Sequence, residues 1–144
     1  SAENQSPSFM VAATRDPDGA NLDRIQIIKG WLDTRGETQE QIFDVALSDG
    51  RKANWRGEIP PVGNTVDRLN VTYSNSIGSV ELTAVWTDPD FDPEQRAFYY
   101  ARVIQIPTPR WTEYDAKYFG ATIDPRAPKT IQDRAYSSPI WYTP

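Results

Sequence analysis

Residues 96–110, RAFYYARVIQIPTPR, are the stretch that most limits how this chain can fold. In an extended strand, side chains alternate between faces. Tyr99, Ala101 and Val103 therefore share one face, and Tyr100, Arg102 and Ile104 the other. Apolar residues stand on both faces, so the segment needs cover on both sides. It is expected as a central strand, stopped by Pro107 and Pro109, with the rest of the chain packed around it.

Other extended segments flank it. Val80, Leu82, Ala84 and Trp86 alternate with Glu81 and Thr83, which predicts a strand burying the apolar four. Arg24–Leu32 and Gln41–Leu47 read as a hairpin around Gly36. Phe9–Ala13 reads as an edge strand, Thr65–Tyr73 as a strand with Leu69, Val71 and Tyr73 on one face, and Ser138–Thr143 as a final strand. Residues 48–64 form a long loop carrying Trp55. Trp111–Gly120 is expected to be a short helix capped by Thr112 and ended by Gly120, and Ile131–Ala135 one helical turn. Twelve prolines and eight glycines supply the turns between them.

This pattern predicts an all-β fold: an immunoglobulin-like β-sandwich of about seven strands, with long loops and one or two short helices. Tyr99-Tyr100-Ala101 resembles the Tyr-Tyr-Cys of immunoglobulin domains. Tyr99 stands where a tyrosine corner would place it, and Ala101 replaces the cysteine. Residues 1–14 are expected as a tail, frayed over residues 1–8, with the edge strand. Residues 15–144 are expected as a single domain.

Two absences narrow the chemistry. The 144 residues contain no cysteine and no histidine, so disulfides and thiolate metal sites are excluded and the commonest general base is missing. The net charge of -5 argues against binding a phosphate backbone. No apolar run approaches the ~20 residues of a membrane span. Serines have no histidine to activate them, and Lys29, Lys52, Lys117 and Lys129 fall in no Ser-Lys motif. No carboxylate pair stands out as a glycosidase dyad.

Asp88, Asp90 and Asp92 alternate like calcium ligands, and Asp16 and Asp18 begin a similar run. Neither run has EF-hand spacing, and Pro89 and Pro93 stiffen the first. Asp-capped turns without calcium are the reading adopted. Among the five tryptophans, Trp86 is expected in the core, whereas Trp55 and Trp111 lie in loop-like sequence. An exposed row of Trp or Tyr would suit carbohydrate or cell-wall polymer.

Five strings carry a family resemblance: LDRIQIIKGWLD (22–33), GNTVD (63–67), VWTDPDFDP (85–93), RAFYYARVIQIPTPRW (96–111) and IQDRAYSSPIWYTP (131–144). From about Arg15 onward the chain resembles the C-terminal part of a bacterial family, domain-of-unknown-function family 3604. The resemblance implies a long parent chain related to metal-dependent phosphoesterases of the polymerase-and-histidinol-phosphatase type. There, an N-terminal β/α barrel carries the metal ligands and a β-sandwich often follows it. The chain at hand is then expected to be a non-catalytic accessory domain, without a cofactor of its own. Its partner is expected to be the N-terminal catalytic-like region of the same polypeptide. A bacterial envelope or periplasm is expected ahead of the cytoplasm. Arg110, Trp111 and Tyr114, on the rigid segment after the central strand, are the interface candidates, being residue types enriched at interface hot spots.

Overall fold

The computed structural model describes residues 5–144; part of the frayed end expected at residues 1–8 lies outside them, and within them the fraying does not reach Ser8, which pairs with Thr87 as the start of a strand. The fold is mostly β, with antiparallel sheets and one helix. The larger sheet is built on β2 (Leu22–Leu32), which pairs with β3 (Thr38–Leu47) on one side and β5 (Ala97–Gln105) on the other. Beyond β5 lie two short strands, β8 (Arg134–Tyr136) and β9 (Ile140–Tyr142). A second sheet holds only β1 (Ser8–Thr14) and β4 (Glu81–Thr87). The two-residue strands β6 (Thr108–Pro109) and β7 (Thr130–Ile131) pair beside the helix α1 (Trp111–Phe119).

The central position expected for residues 96–106 is observed, since β5 has partners on both edges, but the cover expected on both faces is not: the small sheet packs on one face, and Phe98 and Tyr100 on the other are only half-buried. Its inward face carries Ala97, Tyr99 and Val103. These join Ile25 and Ile27 of β2 and Val45 of β3, and meet Phe9, Val11, Leu82 and Trp86 from the small sheet. Phe9 lies 4.8 Å from Tyr99 and Phe43 lies 4.7 Å from Trp86, ring centre to ring centre. The alternation of β4 also holds, with Leu82 buried and Glu81 and Thr83 exposed. Val80 departs from expectation: it precedes the strand and is exposed.

Three local expectations are corrected. Residues 65–73 form no strand. The Asp67 carboxylate accepts the amides of Leu69 and Asn70 and the Asn70 side chain, which folds a turn closed by a bridge from Asp67 to Thr72. Val71 takes a left-handed φ of 51° there, rare for a β-branched residue. Ile131–Ala135 is extended rather than helical, because Ile131 pairs with Thr108 and Arg134 with Ile104. The helix begins at Arg110, with no side-chain cap, and Thr112 lies within it. Gly120 ends it in the left-handed conformation, as expected. The strands number nine among the described residues rather than about seven, because the last third of the chain pairs in two- and three-residue pieces.

The inner face also holds an ion pair. Lys29 Nζ lies 2.6 Å from Asp88 Oδ2, and both side chains are almost wholly buried. Tyr99 donates its hydroxyl to the same oxygen at 2.7 Å, and Lys29 also donates to the Asp90 carbonyl at 2.8 Å. The tyrosine-corner analogy therefore fails in detail, since Tyr99 bonds a carboxylate across the core. Burial, then the Asp88 hydrogen bond and charge, push the Tyr99 phenol above its usual value of 10.0. The folded protein thus keeps a proton that the unfolded chain releases. Tyr99 contributes fully below pH 10.0, and its contribution falls as pH rises above that, by up to about 1.4 kcal/mol per unit. Denaturant midpoints taken from neutral to alkaline pH check this. Tyr99→Phe is expected to be less stable at neutral pH, with the gap closing above pH 10.0.

Candidate functional site

Of the five sequence-nominated carboxylates, those of Asp88, Asp92 and Asp16 are occupied by local structure, whereas Asp90 and Asp18 contribute backbone groups to the same turns. Asp88 is locked to Lys29 and Tyr99, and its Oδ1 accepts the Asp90 amide at 3.0 Å. Asp92 accepts the Glu94 amide, and Asp16 accepts the Asp18 amide. Each is a side-chain-capped turn. No group of three or more His, Cys, Asp or Glu placed to hold a metal occurs among the described residues.

Arg110, Trp111 and Tyr114 do come together. The β6–β7 pair fixes the start of α1, and the Arg110 amide donates to the Lys129 carbonyl at 3.0 Å. Glu113 and Lys129 form an ion pair at 3.1 Å, and Lys117 donates to the Asn70 carbonyl. The helix is thereby strapped on one side to β7 and on the other to the 67–72 turn. Trp111, Tyr114 and Tyr118 recur at three- and four-residue spacing, so they form one stripe. No residue of the helix is buried: Trp111 is 64% exposed, and Tyr118 and Phe119 are more so. Leu69, on the strapped turn, is also exposed. Tyr114 is half-buried, and burial, then nearby Tyr73 and Tyr118, raise its pKa. A cleft of about 330 Å³ opens here, lined by Tyr73, Pro109, Trp111, Tyr114 and Ile131. At the start of the helix, Arg110 Nε and Thr112 Oγ1 are buried with no hydrogen-bond partner among the described residues.

A second aromatic surface was not foreseen. On the outer face of the large sheet, Tyr136, Tyr100, Phe98 and Trp141 follow one another at ring separations of 6.3, 6.3 and 5.1 Å. Gly30 makes room for it: a Cβ there would stand 2.3 Å from Phe98 Cζ, so the ring lies on the β2 backbone. A cleft of about 610 Å³ lies at the Trp141 end. Period two placed Tyr100 on the face opposite Tyr99. Tyr136 and Trp141 could not be placed this way, because β8 and β9 join the sheet only through tertiary pairing. Trp55 is exposed, with the Arg56 guanidinium 4.5 Å over its ring.

These features define a mostly-β domain of two main antiparallel sheets whose one helix leaves its aromatic stripe uncovered. Among the described residues no helix is long and apolar enough to cross a membrane. The chain belongs to the family described as "Protein of unknown function (DUF3604)", whose model matches residues 1–144. No curated protein and no solved structure matches it.

Proposed function

We propose that this chain is a non-catalytic, immunoglobulin-like β-sandwich that works as the C-terminal accessory domain of a longer protein. It docks through α1 and the 67–72 turn against a catalytic region of the polymerase-and-histidinol-phosphatase type. The observation that carries the reading is α1. Four of its nine residues are aromatic and none is buried. A surface helix ordinarily buries its apolar stripe, so this one suits a covering partner. Trp111, Tyr114 and Arg110 are residue types that dominate interface energies. The metal expected in such a catalytic region has no matching donor set here, given no histidine, no cysteine and no clustered carboxylates among the described residues. The acidic turns are likewise assigned no calcium. Titrating the chain with the separately produced preceding region tests the docking. Saturable binding is expected, weakened at least about tenfold by Arg110→Ala. Absence of binding sinks the reading.

A second reading, a module for carbohydrate or cell-wall polymer, is favoured by the outer-face row of Tyr136, Tyr100, Phe98 and Trp141. Retention on cell-wall polysaccharide, abolished by Trp141→Ala, would move the assignment there.

A further inference from the structure

The two main sheets are unequal in width, and the mismatch leaves a slot. The small sheet has two strands, while the large sheet extends from β3 through β2 and β5 to β8 and β9. β4 sits toward β3, with Trp86 on Phe43, and β1 sits over β5, with Phe9 on Tyr99. Nothing in the small sheet covers the far side of β5. Ala135 and Ile140 are register partners of Val103 and Tyr99, so they stand on the same inner face. Both are nevertheless exposed.

Two grooves occupy this space along the free edge of β1. One, about 370 Å³, lies among Phe9, Val11, Tyr99, Ala101 and Ile140. The other, about 260 Å³, continues past Ala13 over Val103 to Ala135. Among the described residues β1 pairs only with β4, so its outer edge presents backbone groups unpaired by them over seven residues, about 23 Å. Its sequence, SFMVAAT, has no charge and no proline, the usual guards against edge pairing.

We infer that β1 accepts one extended peptide segment as the third strand of the small sheet. The ladder supplies the affinity, and alternate apolar side chains fill the two grooves. The occupant is an uncharged strand: the floor is apolar, and the open end carries Arg15 and Arg134 against Asp16 and Asp133. A second copy of β1 fits poorly. It would bring its own large sheet into the space that β8 and β9 already fill. This inference does not depend on the docking of α1, although the α1 cleft and the second groove meet at Gln105 and Asp133.

The probe is the peptide acetyl-Thr-Val-Thr-Val-Thr-Val-Thr-amide, titrated into the chain and followed by hydrogen exchange. Saturable 1:1 binding below about 1 mM is expected, with exchange of the β1 amides slowed at least about tenfold. Methylating alternate peptide nitrogens should abolish binding from one edge register. Ala101→Asp, in the floor, and Ala135→Asp, at an exposed position that spares the core, should each abolish it too. Binding that survives N-methylation on either edge shows a greasy surface without a ladder and overturns the inference. So does protection away from β1, dimerisation through β1, or no binding at all.

Discussion

Asp88→Ala is expected to cost about 3–5 kcal/mol, the largest loss from any single charge in this domain. Its carboxylate is the only anion touching Lys29 Nζ among the described residues, and both lie in the inter-sheet core. Removing it strands a buried ammonium, whose remaining partners are the Asp90 carbonyl and the face of Trp31 at 5.3 Å. It also orphans the Tyr99 hydroxyl and frees the turn that Asp88 Oδ1 closes. A fall in melting temperature of roughly 10–15 °C should follow. The comparison that isolates the charge is Lys29→Met with Asp88→Leu. This double variant, with no charge left to strand, should be far less damaged than either single change. Equal damage in all three would mean that shape rather than charge holds the site.

Gly78→Ala is expected to be the most damaging change of a small residue, at roughly 2–5 kcal/mol, from left-handed strain plus overpacking. Gly78 has a φ of 78°. A Cβ there would stand 2.6 Å from Ile106 Cγ2, 2.8 Å from Asn21 Cβ and 3.0 Å from the Leu22 carbonyl oxygen. Ile106 and Asn21 are buried, and Asn21 Nδ2 donates to the Ile77 and Asn75 carbonyls, so neither can yield. Gly36 also has positive φ but has open space around it, and Gly36→Ala should cost only the backbone strain. Chemical denaturation of the two variants side by side separates clash from conformation.

What was legible in the sequence was what alternation alone decides. The faces of β5 and β4 follow from period two, and their lengths left no competing structure. Residues 65–73 show the limit. Leu69, Val71 and Tyr73 alternate as a strand would, but Asp67 captures the following amides and turns the chain first. Asp67 with Asn70 three residues on is a local turn former that apolar spacing alone does not register. Lys29 stands in the middle of the apolar RIQIIKGWL, but its partner Asp88 lies just past the end of β4, and no local rule links them. The interface candidates were placed by residue type and by the prolines before them. That they share a stripe with Tyr118, beside the turn carrying Leu69, depends on the straps from Lys117 and Lys129.

Docking through α1 is tested most directly by Trp111→Ala made in two settings. One is the 144-residue chain, and the other is a longer polypeptide that also carries the preceding region. In the chain alone, the change should stay within about 0.5 kcal/mol, as for an exposed side chain. In the longer polypeptide, the same change should speed proteolysis at the boundary and split one melting transition into two. The contrary result is a loss of the ~3–5 kcal/mol typical of a buried aromatic in the chain alone, with the longer polypeptide still melting as one unit. That outcome would make Trp111 ordinary core and leave α1 without a partner.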